Sequence, residues 1–205
     1  IPLSTLFGRK DEVLESIADL KGTLIIKEYP TKTASTNNIR THLEKLKKRN
    51  KKIDMIIVDY ADLLKSCSHH KEKRNELESI YESLRAIAQE YKCPVWTASQ
   101  TNRTGLNAEV VTMESISEAF NKCFVADFIC SISRTIKDKN ANTARLFIAK
   151  NRNGPDGLVF PMFIDTSTVQ LKVLADAEAP KLEPATPGDL AASLREKYKK
   201  HRQNK

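Results

Sequence analysis

The apolar residues of this chain form runs and periodic patterns that predict alternating helices and strands in its amino-terminal half. Helical spacing predicts three helices, which cover residues 11–20, 35–49 and 75–91. Three apolar runs predict strands at residues 23–29, 55–58 and 94–98. Because strands and helices alternate here, right-handed crossovers and a parallel sheet are expected. We therefore predict an α/β fold in which helices flank a mainly parallel sheet.

The carboxyl-terminal half has a different pattern, in which strands follow one another closely. A segment at residues 113–122 fits a helix, and strands are predicted at residues 126–134, 143–150 and 158–164. The Asn-Gly-Pro-Asp-Gly turn at residues 153–157 predicts that the last two strands form a β-hairpin. From Leu174 the composition shifts to Ala, Pro and Glu, which is typical of a flexible linker. We expect a folded unit over residues 1–172, followed by a linker and a basic tail over residues 173–205.

Polar side chains follow two of the predicted strands at the points where the strands end. Asp59 comes directly after Met55-Ile56-Ile57-Val58, and Gln100 follows the strand at residues 94–98. Open α/β sheets bind their ligands at the carboxyl ends of parallel strands. Asp59 is therefore a candidate to hold Mg²⁺, directly or through water, beside a nucleotide phosphate, and Gln100 is a candidate phosphate sensor. The residues alone leave open that Asp59 caps the next loop and that Gln100 bonds only within its loop.

Composition narrows the class of protein further. The 205 residues include 34 Lys and Arg against 26 Asp and Glu, which gives a net charge of +8 and favours a polyanionic partner without specifying it. The four cysteines show no Cys-x-x-Cys spacing, so they support neither a zinc site nor a disulfide framework. No apolar run approaches the roughly 20 residues that span a bilayer. We expect a cytoplasmic protein without a membrane partner, whose basic end is either a nucleic-acid contact or a solvated tail.

Four short motifs carry a resemblance to a known family. They are Ile56-Ile57-Val58-Asp59-Tyr60-Ala61-Asp62-Leu63-Leu64, Ala98-Ser99-Gln100-Thr101-Asn102-Arg103, Ala126-Asp127, and Ile148-Ala149-Lys150-Asn151-Arg152-Asn153-Gly154-Pro155. In this order they resemble the carboxyl-terminal motor domain of DnaB-type replicative helicases. The segment from Gly22 to Pro30, together with Trp96-Thr97-Ala98, is similar to the T-even phage helicases of that superfamily. The resemblance covers residues 20 to 166.

This resemblance implies a RecA-like core that assembles into a homo-oligomeric ring, a hexamer. Such a ring hydrolyses ATP with Mg²⁺ between its subunits, moves along single-stranded DNA and unwinds the duplex. A primase and a helicase loader are implied as further partners, and the cytoplasm of a bacterial host cell is implied if the protein is encoded by a phage.

The resemblance also assigns the catalytic residues. Asp59 matches the Walker B aspartate, with a role in binding the metal, and Gln100 matches the glutamine that links the phosphate site to the DNA-facing loops. Lys150 and Arg152 match the basic pair that reaches the nucleotide of the neighbouring subunit, with Arg152 as the arginine finger. The planar, permanently charged guanidinium suits that role, because it can hold the charge that develops on the transferred phosphoryl group.

Two loops are implied as DNA-facing: residues 65–74 and the segment around Ser117-Glu118-Ala119-Phe120. Bacterial relatives have Arg-Glu-Ser-Gly in the second loop, so the arginine that meets a DNA phosphate is Ser117 here, and Lys122 or Arg103 would replace its charge. Phosphate contacts of this kind make binding strongly dependent on salt. The candidate DNA contacts are Lys65, Lys71, Lys73, Arg74, Arg103, Ser117, Glu118 and Lys122.

The chain also departs from the family's pattern. It contains no Gly-x-x-x-x-Gly-Lys-Ser/Thr sequence, and Pro30-Thr31-Lys32-Thr33 lacks the glycines of a phosphate-cradling loop. The family's strand with the catalytic glutamate is missing as well. We therefore expect that the isolated chain does not hydrolyse ATP, and that it is the second half of a motor whose first half lies upstream. The alternatives are a non-catalytic RecA-like module for nucleic-acid binding or ring assembly, and a recombinase or clock-type ATPase, which the Lys-x-Arg-Asn-Gly-Pro motif disfavours.

Overall fold

The computed structural model describes residues 2–68, 72–102, 108–113 and 121–175, without the side chain of Asn121. Short 3-10 helices cover Leu3–Arg9 and Ala61–Leu63. The α-helices are α1 (Lys10–Ala18), α2 (Thr36–Lys48), α3 (Lys73–Tyr91), α4 (Asn121–Val125) and α5 (Ile136–Ala141). The strands are β1 (Ile56–Val58), β2 (Val95–Thr97), β3 (Phe128–Ser133), β4 (Thr143–Asn151), β5 (Val159–Asp165) and β6 (Gln170–Val173). Among the described helices, none is long and apolar enough to cross a membrane.

Strands β1 and β2 pair in parallel, and helix α3 connects them. Their register aligns Ile56 with Val95 and Val58 with Thr97, so both strands end at the same level. The predicted apolar face of α3 is confirmed, because its buried residues recur at helical spacing. These residues are Leu77, Ile80, Leu84 and Ile87. Three of them, Ile80, Leu84 and Ile87, pack with Leu43 of α2 and Ile56 of β1 into one hydrophobic core, which holds the two strand ends in place.

Ser35 caps the start of α2. Ser35 is the N-cap residue in an extended conformation, and its backbone N–H donates to Asn38 Oδ1 at 2.9 Å. Basic residues occupy the last turn, where they interact favourably with the helix dipole. Ser35 also forms an isolated parallel bridge with Lys65, which ties the start of α2 to the segment that follows β1.

A second sheet is antiparallel and has the strand order β3-β4-β5-β6. The predicted hairpin of β4 and β5 is confirmed, with Ala144 opposite Met162 and a turn that places Gly157 at a φ of 75°. Glycine adopts this left-handed conformation without a steric penalty. Strand β6 was not predicted. All four of its residues are exposed. Because none of them needs to be apolar, the sequence of this strand shows no apolar run that would have predicted it.

Two predictions about the sheet need correction. A mainly parallel sheet is not confirmed, since the described strands form one parallel pair and a larger antiparallel sheet whose strands follow one another through short connections. The predicted strand at residues 23–29 is wrong, because these residues pair with no described strand. An apolar sequence alone cannot make a strand without a neighbour that accepts and donates its backbone hydrogen bonds, and Leu24 and Ile26 are exposed.

Helix α5 was not predicted either, and it depends on one buried carboxylate. Asp138 accepts hydrogen bonds from the backbone N–H of Thr135 at 2.7 Å and from Thr143 Oγ1 at 3.1 Å. Arg145 Nη1 donates to the same carboxylate at 2.8 Å. Burial alone would raise the pKa of Asp138, but the hydrogen bonds from Thr135, Arg145 and Thr143 outweigh burial and hold the pKa well below its ordinary value.

We expect Asp138→Asn to destabilise the chain by about 2 kcal/mol at pH 7, because the substitution leaves buried donors without a charged acceptor. The carboxylate's pKa is depressed in the folded state, so its contribution is fully present above the unfolded pKa and is lost as the pH falls below it. The difference between the two proteins in urea unfolding should therefore shrink below pH 3.8. Asp54→Asn removes an exposed ion pair with Lys52 and should have an effect near zero. Equal effects of the two substitutions would contradict the assignment.

Candidate functional site

The ends of β1 and β2 are tied together by Thr97. Its Oγ1 donates to the carbonyl oxygen of Val58 at 2.9 Å and accepts from the backbone N–H of Ala61 at 2.9 Å. Ala61 is fully buried, so its N–H depends on this partner. Thr97 therefore fixes where the chain leaves both strands, and with it the positions of Asp59 and of the segment from Ala98 to Gln100.

The structure brings Asp59 and Gln100 to one edge of the parallel pair. Gln100 Nε2 donates to Tyr60 Oη at 2.8 Å, which holds the amide against the residue that follows Asp59. Asp59 is exposed, and among the described residues no hydrogen-bond or ion-pair partner contacts its carboxylate. A carboxylate without a protein partner at a strand end is available to a ligand from solution.

The donor set at this edge fits Mg²⁺ better than a metal that needs a closed protein site. In the part of the chain that the structure describes, no three His, Cys, Asp or Glu side chains come together as a metal site. Mg²⁺ keeps several waters and is commonly held by one or two carboxylates together with substrate phosphates. Asp59 is a suitable single carboxylate for that arrangement, whereas a phosphate-cradling loop is absent from the sequence.

Beside this edge lies a group of polar side chains that we call the Asp62 cluster: Asp62, Tyr81, Ser99 and Lys122, of which Lys122 is buried, Asp62 and Tyr81 are half-buried and Ser99 is exposed. Asp62 accepts from Tyr81 Oη at 2.8 Å and from Ser99 Oγ at 3.1 Å. Lys122 Nζ donates to Asp62 Oδ2 at 3.1 Å and to Ser99 Oγ at 2.6 Å. Burial, and then the charge of Asp62, raise the pKa of Tyr81 well above its ordinary value. Tyr81 therefore stays protonated and acts as a donor.

The Asp62 cluster corrects one predicted DNA contact. The Lys122 side chain is only 2% exposed and forms an ion pair with Asp62, so it does not reach a DNA phosphate in this structure. Sequence reasoning missed the pairing because the two residues lie far apart in the chain and only the fold brings them together. The one indication in the sequence of a partner for Lys122 was Asp62, a second carboxylate three residues after Asp59.

Lys150 and Arg152 lie at the end of β4 and contact the carboxyl end of α4. Lys150 Nζ donates to the Cys123 carbonyl at 2.7 Å, and Arg152 Nη2 donates to the Phe124 carbonyl at 2.9 Å. Cations are favoured at this end of a helix, where carbonyl groups lack partners within the helix. Burial, followed by the charge of Arg152, lowers the pKa of Lys150.

Asp127 holds Arg152 from the other side. Arg152 Nη1 and Arg85 Nη1 each donate to Asp127 Oδ1 at 2.9 Å. The Arg152 side chain is 45% exposed, so its guanidinium remains at the surface. Within the described residues, Lys150 hydrogen-bonds to α4 and Arg152 to α4 and Asp127, and neither forms a hydrogen bond with Asp59 or Gln100. One chain therefore carries the aspartate and glutamine edge and the basic pair as separate groups.

The remaining predicted DNA contacts divide into described and undescribed residues. Lys65 is exposed and lines a cavity of about 490 Å³ beside the start of α2. Lys73 and Arg74 are exposed in the first turn of α3, where the positive end of the helix dipole disfavours cations. Lys71, Arg103, Ser117 and Glu118 lie outside the described residues.

The carboxyl ends of parallel strands, where Asp59 and Gln100 lie, are the position at which open α/β sheets generally bind their ligands. Solved structures share the fold. A structure described as an ATPase domain matches with a TM-score of 0.70 and 19% identity, covering 85% of this chain and 66% of that chain. A DnaB-like replicative helicase, described with its interactions with primase, matches with a TM-score of 0.67 and 20% identity, covering 82% of this chain and 42% of that chain. At these identities the likeness concerns the fold alone.

Sequence comparison identifies the family. Residues 9–170 match the family described as the DnaB-like helicase C terminal domain, and the chain belongs to it. The DnaB-like replicative helicase of Enterobacteria phage T4 is 34% identical over 137 residues, which cover 65% of this chain and 29% of that protein. The replicative DNA helicase DnaB of Geobacillus stearothermophilus is 33% identical over 141 residues, covering 65% of this chain and 31% of that protein. The chain thus spans less than a third of the length of these relatives.

We expect Thr97→Val to loosen the two strand ends, because the buried N–H of Ala61 loses its acceptor, at a cost of about 1 to 2 kcal/mol. Hydrogen exchange at the Ala61 amide should become faster in this variant, and urea unfolding should show the lower stability. Thr97→Ser keeps the hydroxyl and should leave exchange at Ala61 close to that of the original chain. Unchanged exchange in Thr97→Val would show that Thr97 does not tie the strands.

Proposed function

We propose that this chain is the part of a ring-forming replicative DNA helicase motor that carries the magnesium-binding aspartate, the phosphate-sensing glutamine and the arginine finger. The observation that carries the proposal is the 2.8 Å contact between the Gln100 amide and the Tyr60 hydroxyl, directly beside Asp59 at a parallel-strand edge. Membership in the DnaB-like helicase C terminal domain family supports the same conclusion.

Each residue at the edge has a distinct role in the proposed reaction. A water molecule attacks the terminal phosphate of ATP, forms a new P–O bond and displaces ADP. Asp59 would hold Mg²⁺, directly or through water, and the ion would supply positive charge beside the phosphate oxygens. Gln100 donates to Tyr60 here, and its amide can exchange that partner for a phosphate oxygen, so its position depends on whether the terminal phosphate is present.

Arg152 acts on the nucleotide of the neighbouring subunit in this proposal. Its guanidinium is half exposed, and it is oriented by Asp127 and the Phe124 carbonyl. Arg85 and Arg152 both donate to Asp127, and the Lys150 charge interacts with the same carboxylate, so the group carries more positive than negative charge. An excess of positive charge at an exposed surface suits a triphosphate, and desolvation between two subunits would strengthen the attraction.

The phosphate cradle comes, we infer, from residues outside this sequence. No Gly-rich phosphate loop is present in the 205 residues, so we propose that this chain alone does not turn over ATP. The parallel strand pair supports this inference, because Ile57 is 69% exposed and Trp96 is 45% exposed. Parallel strands are ordinarily covered on both faces, so these exposed side chains are suited to contact further residues of the motor.

The motor portion would occupy residues 1–172, with residues 173–205 as linker and basic tail.

The proposed assembly is a hexameric ring that encircles single-stranded DNA in the cytoplasm of a bacterial host cell. Similarity to the T4 helicase supports a phage origin. The solved DnaB-like helicase described with primase supports a primase partner, and a helicase loader is proposed on family grounds.

A basic groove supports the second candidate function, a non-catalytic nucleic-acid-binding module. The groove has a volume of about 320 Å³ and includes Lys27, Tyr29, His42, Lys45 and Arg49 among its lining residues. None of the residues that line it is acidic, so a phosphodiester backbone would meet only neutral or positive groups there.

We expect Arg152→Ala in the complete gene product to lower ATP turnover by about 10³-fold or more, while nucleotide binding remains, because the finger acts on the transition state. Mixing this variant with Asp59→Ala subunits tests action in trans. Neither variant alone has an intact interface, but the mixture contains interfaces that combine Asp59 from one subunit with Arg152 from the next. Steady-state turnover of the mixture should therefore exceed that of either variant.

Asp127→Asn is the control for a purely structural role, because it removes the ion pair with Arg152 and keeps the guanidinium. Its turnover should fall far less than that of Arg152→Ala. Turnover in Arg152→Ala equal to that of the original protein, or a mixture no more active than its parts, would refute the assignment of Arg152 as a finger acting in trans.

Salt-dependent binding of single-stranded DNA separates the two candidate DNA surfaces. If Lys73 and Arg74 contact phosphates, changing both to Ala should reduce the slope of log K against log salt by roughly 1.4. Changing Lys45 and Arg49 to Ala should produce that reduction only if the basic groove binds the strand. Lys137→Ala with Lys172→Ala removes two exposed lysines elsewhere and should leave the slope unchanged. An unchanged slope for a pair removes that surface from consideration.

A further inference from the structure

The short helix α4 contacts both separate parts of the proposed site. Lys122 of α4 belongs to the Asp62 cluster. The Cys123 and Phe124 carbonyl groups of the same helix accept hydrogen bonds from Lys150 and Arg152. At 1.5 Å per residue, five residues of helix span only about 7 Å. We propose that Lys122 is a positioning residue that couples the Gln100 edge to the basic pair, Lys150 and Arg152. This inference rests on the function proposed above.

The ammonium group of Lys122 has two hydrogen-bonding partners, Asp62 and Ser99, and also lies near the Tyr81 ring. Nζ lies 3.1 Å from Asp62 Oδ2 and 2.6 Å from Ser99 Oγ, and it lies 5.6 Å from the centre of the Tyr81 ring. Ser99 directly precedes Gln100 in the chain. A phosphate that draws the Gln100 side chain away from Tyr60 would therefore act on the residue next to an acceptor of Lys122.

The opposite end of α4 is held through its backbone. Cys123 and Phe124 offer carbonyl oxygens to Lys150 and Arg152, and Arg85 donates to the Val125 carbonyl. Because these acceptors are backbone atoms, a rotation or shift of α4 moves the partners of all three cations together. Asp127 follows within two residues and accepts from Arg85 and Arg152 as well.

The burial of the Lys122 charge favours a role in orienting α4 over a role in stabilising the fold. Desolvating Lys122 and Asp62 is costly, and apolar residues of similar volume often replace buried ion pairs without loss of stability. The pair does, however, fix one orientation of α4, because the ammonium must satisfy several acceptors at once. An apolar side chain would leave α4 free to settle in other orientations.

The test uses the complete gene product, with Lys122→Met as the principal variant and Lys122→Arg as the conservative one. Stimulation of ATP turnover by poly-dT should fall about tenfold in Lys122→Met, within the usual range of coupling between sites. The affinity for a fluorescent ADP analogue should stay within about twofold, because Lys122 contacts no part of the proposed nucleotide site directly. Lys122→Arg keeps the charge and should recover part of the stimulation.

Two further variants locate the effect. Asp62→Asn should lower stimulation similarly, and Asp62→Asn combined with Lys122→Met should be no worse than either alone, because both substitutions break one interaction. Lys137→Met changes an exposed lysine on α5 and should retain full stimulation. If Lys122→Met does not fold, Ser99→Ala removes the hydroxyl that contacts Lys122 at 2.6 Å and Asp62 at 3.1 Å, and it should still lower stimulation.

The outcomes distinguish this inference from the proposed function. Absence of DNA-stimulated turnover in the original complete protein overturns the proposed function and, with it, this inference. Normal turnover in the original protein with full stimulation in folded Lys122→Met, or in Ser99→Ala where Lys122→Met does not fold, overturns the positioning role alone. Additive losses in the double variant would also overturn it.

Discussion

The aligned ends of the parallel strands β1 and β2 are the constraint on which the rest of the site depends. The register places Val58 opposite Thr97, and the Thr97 hydroxyl joins the two chain exits. Without that alignment, Asp59 and Gln100 would not lie at one edge, and Ser99 would not reach Asp62. The apolar face of α3 stabilises this alignment, because it packs against β1 and β2 in one hydrophobic core.

Sequence patterns predicted those parts of the fold that depend on local information. The burial of Leu77, Ile80, Leu84 and Ile87 follows from helical spacing, and the β4–β5 hairpin follows from its turn sequence. The strand predicted at residues 23–29 failed, because its apolar residues require a neighbouring strand that the described residues do not supply. The Asp62 pairing with Lys122 joins distant segments, and no local pattern specifies which buried carboxylate a lysine will meet.

Basic residues in this chain do not form one class. Lys122, Lys150 and Arg152 are held by acceptors of their own chain, and their positions depend on α4. Lys45 and Arg49, by contrast, line a groove without acidic residues. The basic residues behind the net charge of +8 therefore include some that form hydrogen bonds and ion pairs within the chain and others that line surfaces suited to a polyanion. Only contacts in the structure separate these roles.

The central claim is that the edge carrying Asp59 and Gln100 receives the phosphates of a magnesium nucleotide. The most direct measurement is a structure of the complete gene product, assembled and bound to Mg²⁺ and a non-hydrolysable ATP analogue. Our account predicts Mg²⁺ about 2.1 Å from an Asp59 oxygen, or joined to it through one water, with the Gln100 amide facing the terminal phosphate. A nucleotide bound elsewhere, with Asp59 and Gln100 both remote from its phosphates, would contradict the account.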